Sequence, residues 1–577
     1  MSPPGILYVT MQPEPGLPPA QFHEWYNNEH GPTRLRIPQI FTNGLRYRSL
    51  SGSDSQSRHQ QQQQQQQQQP GFMAVYDVVD MALLATPTYT CLRANRSPRE
   101  ARTISRVDVR RRFFDLVHAR ASPRFAPPEG LRTDGEAAGR VTVAVEVRLR
   151  GGERGEGGDA YAKWFVDEHV GLLAKVPGWL RSRLFTTSSL EEEEGGGGGG
   201  EHAGEVVYFA LHDYAKDNGL GGEEHKASMD TPWRTEVFDK YVVSKARQTW
   251  SLFYVFGPAP RDLESLSALP AASAAFTSPD GTTSTTPGPD PVISSFVTTP
   301  DGLAIPYRLE GNASSPDAPT VAFSNSLLTS LHMWDPLVAI LKRARPDLRI
   351  LRYDTRGRHA VPQPPVAATL ETLSSDLVHL LDALRIPTLH ALVGVSMGGA
   401  TALQFALAHP GRLARLVACD FNAVSSTANT QAWKDRVAVA ESNNGRGIET
   451  LAQQTVARWF HPESMRKAEL VRWMTEMVAG NDVDGFKHSC TALWDYDMKP
   501  QMPDSTIPSL LAVGDEDAKG ALVRAMDGFK GSLGDSGAEL KIVPNAGHLP
   551  MCEAPEAFWS AIKEFLSTSS RTNYSTT

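Results

Sequence analysis

The segment Leu392-Val-Gly-Val-Ser-Met-Gly-Gly399 constrains this 577-residue chain more than any other. It is an apolar run that ends in G-x-S-x-G and leads into a helical pattern, Ala400 to Ala408. A tight strand-to-helix turn needs a serine between two such glycines. Gly394 and Gly398 leave room for a strained backbone at Ser396, and the helix that follows aims its free N–H groups and its dipole at any anion formed there. Such a turn needs a sheet to carry it. Val321 to Phe323, Arg349 to Tyr353, His390 to Val393, Leu413 to Ala418, Ser509 to Val513 and Leu540 to Val543 are short apolar runs, alternating with helical stretches such as Leu373 to Leu384. The alternation predicts a mostly parallel sheet covered on both faces.

Two more groups stand where that serine would need them. Val513-Gly-Asp-Glu-Asp517 follows one later strand, and Asn545-Ala-Gly-His548-Leu-Pro550 follows the last. Serine, then acid, then histidine is the chain order of α/β-hydrolases. Taken singly, Asp517 reads as a helix cap and His548 as a loop residue. In this order, each at the C-terminal end of a strand, they read as a catalytic triad.

The region around them, about residues 292–567, resembles the 3-oxoadipate enol-lactonases. Ser324-Asn-Ser-Leu-Leu-Thr-Ser-Leu-His-Met-Trp-Asp-Pro336 is similar to the segment that supplies the oxyanion hole in that family. Arg352-Tyr-Asp-Thr-Arg-Gly357, Ala457-Arg-Trp-Phe460 and the stretch from Gly485 to Leu493 continue the likeness. The resemblance implies an α/β-hydrolase fold with a helical lid at about 422–499, hydrolysis of a carboxylic ester or enol-lactone, and no need for a metal or organic cofactor. It implies Ser396 as nucleophile, His548 as base and Asp517 as acid. Asp517 is preferred to Asp515 because the family's acid stands three residues after the strand-ending glycine, here Gly514. It also implies that the backbone N–H groups of Leu327 and Met397 bind the oxyanion. Trp433, Trp459 and Trp494 are candidates for the lid's apolar lining, or plain core.

Three departures from the family pattern leave the substrate open. Leu328 stands where a glycine is expected, Arg356-Gly-Arg-His359 replaces Arg-Gly-His-Gly, and a basic residue often found after the sixth strand is missing from Asn422 to Thr427. The alternatives are an esterase or thioesterase of secondary metabolism whose N-terminal half binds the same aromatic compound, and a non-catalytic receptor on the same fold.

The N-terminal half carries a repeat. Phe22-His-Glu-Trp-Tyr-Asn-Asn-Glu-His30, then Pro38, returns as Tyr161-Ala-Lys-Trp-Phe-Val-Asp-Glu-His169, then Pro177. Each copy has β-rich runs before and after it (Ile6 to Thr10 and Phe72 to Asp77; Val141 to Val147 and Val206 to Asp213). Closing strands are expected near Phe113 to Val117 and Leu252 to Phe256. The order β-α-β-β-α-β is ferredoxin-like, twice over. Residues 1–260 resemble the dimeric α/β-barrel superfamily, most nearly its EthD-like branch, whose members pair two such sheets; the tandem copies would make that pair within one chain. Glu29-His30 and Glu168-His169 are a possible second site: each histidine either faces the barrel cavity and moves protons, or holds the following loop by hydrogen bonds. Because the superfamily includes muconolactone isomerases, a fused isomerase–hydrolase is a further expectation. Trp25 and Trp164 read as core.

Composition limits partners. Lys plus Arg number 57 against 65 Asp plus Glu, a net −8, so no global basic field attracts nucleic acid or anionic lipid. Four cysteines lie far apart without a CxxC pair, which argues against a zinc site or a disulfide framework. No apolar run of about 18 residues is present, and the expected setting is cytoplasmic, without membrane partners. An oligomer through the N-terminal barrel stays open. Hydrophobic residues make up 40%, which reflects padding. The Gln60 to Gln69 tract and the run from Glu191 to Gly200 bury too little to order themselves and read as loop insertions. The expected organisation is repeat 1 over 1–120, repeat 2 over 140–260, a disordered Ala/Ser/Thr/Pro/Gly-rich linker over 261–291, and the hydrolase domain over 292–567.

Overall fold

The computed structural model describes residues 2–50, 70–150, 155–190, 206–272, 275–444 and 446–567. The glutamine tract and the Glu/Gly run lie outside these residues. The chain divides into two compact units, Met1–Pro260 and Arg261–Thr577. Among the described residues no helix is long and apolar enough to cross a membrane.

The first unit holds eight strands: β1 (Gly5–Pro13), β2 (Leu45–Ser49), β3 (Phe72–Val78), β4 (Val107–Ala121), β5 (Val141–Leu149), β6 (Trp179–Thr187), β7 (Val206–Tyr214) and β8 (Val242–Val255). They close into one antiparallel barrel in the order β1-β3-β2-β8-β5-β7-β6-β4, with β4 returning to β1. The two repeats are therefore halves of one barrel and do not stand as tandem domains with a sheet each. The reason is the edges. β2 would be the free edge of the first repeat and β4 the other, and each finds a partner in the second repeat, β8 and β6 respectively. β4 and β8 run 15 and 14 residues, well beyond the short apolar ends expected from sequence. Their polar first halves (Arg110 to Arg112, Ser244 to Gln248) gave no alternating signal, yet their backbone is paired throughout.

The barrel interior is packed by residues of both repeats, including Ile6, Tyr47, Phe114, Phe185, Phe209 and Trp250. Strand alternation sends the other side chains outward, where each repeat's helices cover them with a separate core. Trp25 and Trp164 belong to these outer cores and are 1% and 2% exposed. The Glu-His motifs lie in this outer layer and do not face the barrel interior.

The second unit is built on a ten-stranded sheet. Its strands are β9 (Phe276–Thr277), β10 (Ser284–Thr286), β11 (Val292–Thr298), β12 (Ala304–Gly311), β13 (Thr320–Ser324), β14 (Arg349–Tyr353), β15 (Ala391–Val395), β16 (Leu416–Cys419), β17 (Ser509–Gly514) and β18 (Glu539–Val543), in the order β18-β17-β16-β15-β13-β14-β12-β11-β10-β9. From β14 to β18 the pairs are parallel. β13 to β15 are buried at every position, as a sheet covered on both faces requires. The expected linker is a correction. Leu263–Ser267 is a short helix, and β9 and β10 extend the sheet at its antiparallel edge. Side chains such as Thr283, whose hydroxyl bonds Ser295 at 2.7 Å, tie this low-hydrophobicity stretch down. Between β16 and β17 stand four helices, Thr427–Glu441, Gly447–Trp459, Ala468–Ala479 and Val483–Cys490.

Candidate active site

Strand order reverses between β15 and its neighbours, and a crevice at such a switch point is where open α/β sheets bind ligands. Ser396 follows β15 directly and opens the helix Met397–Ala408. Its backbone sits at φ 58°, ψ −120°, a left-handed conformation that costs a serine on the order of 1–3 kcal/mol. The surrounding glycines allow the turn to close. A Cβ on Gly398 would lie 2.1 Å from the Ser324 carbonyl oxygen, and one on Gly394 2.0 Å from that of Gly398. The same approach brings the β13 loop, which carries Leu327, against the Ser396 turn. Among the described residues, neither the Leu327 nor the Met397 N–H donates a hydrogen bond.

Leu328 lies at φ 70°, the conformation a glycine would take without strain. Its carbonyl accepts bonds from Asn481 Nδ2 (2.8 Å) and Arg358 (3.3 Å), and Arg358 also donates to the Met477 carbonyl at 3.0 Å. Two of the departures in sequence thus touch each other: the arginine braces the loop that the leucine strains. His359 bonds Asp354 at 2.7 Å, and Asp354 accepts the Leu331 N–H at 2.6 Å in the same loop.

His548 and Asp517 meet at 2.8 Å, Nδ1 to Oδ2. Asp515 is occupied elsewhere, accepting the N–H groups of Asn545 (3.0 Å) and Ala546 (3.1 Å) and so fixing the start of the histidine loop. Trp459 holds His548 twice. Its carbonyl accepts the His548 N–H at 2.7 Å, and its indole stacks on the imidazole with centroids 5.5 Å apart. Buried Glu553 clamps the same loop from below, accepting the N–H groups of Gly547 (3.0 Å), Leu549 (3.1 Å) and His461 (2.7 Å). Burial pushes its carboxyl above the usual range.

A third acid, overlooked in the sequence, stands beside the pair. Asp420, at the end of β16, is 1% exposed and accepts the Gly514 N–H at 2.9 Å through Oδ1. Its Oδ2 is buried with no conventional partner among the described residues. Burial, and then the charge of Asp517, hold this carboxyl well above the usual range. A shift in this direction favours the protonated form of the Asp420 carboxyl. Asp420, Asp517 and His548 bring ligand atoms within 4.8 Å of one another. Within this set His548 Nδ1 and Asp517 Oδ2 are bonded at 2.8 Å, which makes it a hydrogen-bonded pair with a buried acid beside it.

Ser396, Asp517 and His548 all line one cavity of about 470 Å³, as do Asp420, Trp433, Trp459, Tyr496 and Leu522. Trp494, expected with the other two tryptophans, is not part of the wall. Two guanidiniums are: Arg436, lying over the Trp433 ring at 4.3 Å, and Arg458. Neither has an ion-pair partner among the described residues. Arg458 is lowered to about 10 by burial first and then by Arg436. These arginines come from the helices Thr427–Glu441 and Gly447–Trp459. They supply positive charge that the segment after β16 lacks, and a search of that short segment alone could not find them.

The Glu-His motifs belong to the first unit, each in a five-residue π-helical turn, Tyr26–His30 and Phe165–His169. A π turn inserts a residue into the helix and swings the following side chains round its axis. The two copies then differ. His30 Nδ1 bonds Glu100 at 2.6 Å, and burial drops its pKa to about 4. Glu29 bonds Ser97 and Arg99 (3.0 Å), and burial lifts it to about 7. In the second copy Glu168 is spent on Trp164 Nε1 (2.9 Å) and Thr231 Oγ1 (2.7 Å), while His169 Nδ1 has no partner among the described residues.

Comparison with known proteins fits the second unit. Residues 319–555 match the alpha/beta hydrolase fold family, and this C-terminal region is an α/β-hydrolase. The chain is 29% identical over 266 residues to 3-oxoadipate enol-lactonase 2 of Acinetobacter baylyi, covering 46% of this chain and 94% of that one. Among solved structures it is similar to a hydrolase from Pseudomonas aeruginosa PA01 (33% identity, 48% of this chain, 98% of that one, TM-score 0.41). It is also similar to the enol-lactonase from Burkholderia xenovorans LB400 (29% identity, 47% and 100%, TM-score 0.42).

Proposed function

We propose that the second unit is a serine hydrolase that opens an enol-lactone, or cleaves a related carboxylic ester, bearing a carboxylate of its own. The observation that carries this reading is the convergence, on one cavity, of a strained Ser396, the 2.8 Å His548–Asp517 pair and two guanidiniums that have no ion-pair partner among the described residues.

His548 with its Nδ1 proton on Asp517 leaves Nε2 as a base. It takes the Ser396 hydroxyl proton as Oγ adds to the lactone carbonyl, and the N–H groups of Leu327 and Met397 stabilise the resulting oxyanion. Collapse breaks the ring C–O bond, and His548 returns the proton to the departing enol oxygen. Water, deprotonated by His548, then attacks the acyl-enzyme and releases a second carboxylate. The Asp420 proton shares the negative charge of Asp517 and holds it in place. The substrate's carboxylate lies toward Arg436 and Arg458, within the ~300–1,000 Å³ usual for small-molecule sites. The likeness to enol-lactonases supports the choice of lactone.

For the first unit, the reading is a pair of ferredoxin-like halves. The support is that each repeat contributes four neighbouring strands in the order fourth, first, third, second.

The test compares wild type, Ser396→Ala and Arg436→Met/Arg458→Met on 3-oxoadipate enol-lactone, muconolactone and a neutral aryl acetate. The reading expects Ser396-dependent opening of the enol-lactone, and a KM in the double variant raised about tenfold or more for the lactone but not for the acetate, the loss of one charge-assisted contact. Aryl acetate cleavage without lactone opening would keep the nucleophile and remove the lactone.

A further inference from the structure

The outer layer of the first unit's second repeat encloses a cavity of about 240 Å³. One side is the outward face of β5, β7 and β8. The other is the π turn Phe165–His169 with the helices Glu223–Met229 and Pro232–Tyr241. Its walls are of two kinds. Trp164, Phe165, Phe238 and Tyr214 give aromatic surface, with His169 stacked on Trp164 (centroids 4.5 Å) and Arg234 over the Phe238 ring at 4.1 Å, and Arg234, Lys245 and Arg247 give three cations. No lining residue is acidic, and none of the three cations has an ion-pair partner among the described residues. Their like charges press on each other. Burial and then Arg234 and Arg247 lower the Lys245 ammonium.

Two buried polar atoms are also unused. Among the described residues His169, 5% exposed, has no partner at Nδ1, and Arg234 has none at Nε. His212 completes the polar wall, its ring centroid 5.9 Å from that of His169. Its Nδ1 meets Ser182 Oγ at 2.9 Å, and that hydroxyl already accepts the Trp179 indole N–H. In the first repeat His30 is bonded to Glu100, and Phe256 stacks on Tyr26 and fills the space beside Gly31. The duplication kept the histidine in both copies, but only His169 has neither an acid beside it nor a bond at Nδ1.

The geometry points to a binding site in this cavity for a planar, one-ring carboxylate, its ring against Trp164 and Phe238 and its carboxylate on Arg234 and Lys245. A carboxylate would neutralise the unpaired cations and accept from Arg234 Nε, and an aromatic ring is complementary to the aromatic walls. The volume lies below the ~300–1,000 Å³ of pockets for drug-sized ligands, which limits the guest to about one ring.

The experiment is calorimetric titration of the full chain with benzoate and with benzamide, its neutral near-isostere. It uses the Arg436→Met/Arg458→Met background so that binding at the second unit's cavity is suppressed. Benzoate should bind at least tenfold more tightly than benzamide. Arg234→Met, which keeps the stem over Phe238, should weaken benzoate tenfold or more, while Arg234→Lys retains part of the affinity. Hydrogen-exchange protection of β5 to β8, unchanged by Arg234→Met, reports that the barrel is intact. Equal binding of benzoate and benzamide, benzoate affinity indifferent to Arg234→Met, or no benzoate uptake at millimolar concentration would overturn the assignment. None of these outcomes bears on Ser396.

Discussion

Asp420 and Leu328 both hold conformations or charges that an isolated residue would avoid. Asp420 sits at φ 48° with its carboxyl held above the usual range by burial and then by the charge of Asp517. Asparagine can keep both the Gly514 contact and a donor toward Asp517; alanine can keep neither. Asp420→Asn is therefore expected to retain kcat within a few-fold. Asp420→Ala should lose about 10–100-fold, matching the ~1.5–3 kcal/mol of a hydrogen bond to a charged group. Equal activity of the two variants on an aryl acetate would remove Asp420 from the relay. At Leu328 two effects compete. Relief of the left-handed backbone is worth ~1–2 kcal/mol, but losing a buried leucine costs ~1.5–3 and adding a flexible glycine another ~0.5–1. The side chain wins, so Leu328→Gly should lower stability by roughly 1 kcal/mol in denaturant titration. A rise in stability would show that strain dominates.

The elements around the site show what was legible in the sequence. The strand ending at Val395, the turn at Ser396 and the loops of Asp517 and His548 are local patterns, each complete within a few residues. The brace on the Leu328 loop is not local, because Arg358, Leu328 and Asn481 come from three separate segments. The same holds for Glu553, which reads as an ordinary acid in a helix until its three backbone N–H partners are seen. The antiparallel barrel could be sensed from the repeated β-rich runs. Its closure depends on edge pairing between halves, and the polar halves of β4 and β8 concealed their length. Glu553 belongs to this scale: Glu553→Ala leaves three N–H groups unpaired and loosens the His548 loop. It should lower kcat on the aryl acetate by about tenfold or more with KM little changed, as expected when a positioning contact is lost. A change confined to KM would mean that Glu553 does not position the base.

The molecule joins two units with different responses to acid. Burial lowers His23 to about 3, His30 to about 4 and His212 to about 3, and lowers His169 as well. The unfolded chain takes up protons near ~6.5 that the folded barrel refuses, so the stability these residues contribute is complete above that pH and is lost as pH falls toward about 4 and then 3. Hydrogen exchange of the full chain, corrected for intrinsic rates, should therefore show protection of β1 to β8 falling between pH 6.5 and 4.5. Unchanged protection would contradict the assignment of neutral buried histidines. The second unit rests on carboxylates held below their usual range, such as Glu310 beside Arg352 and Lys342. Their stabilising effect persists to lower pH and is lost only as pH drops through those depressed values. In the proposed reaction hydrolysis depends on that unit and on one atom within it, Ser396 Oγ. The most direct measurement is labelling of the full chain with an aryl fluorophosphonate, followed by peptide mass spectrometry and an aryl acetate assay. A single adduct on the peptide carrying Ser396, with hydrolysis abolished in proportion to labelling, is the predicted result. Full hydrolysis by a chain completely labelled at Ser396 would contradict it.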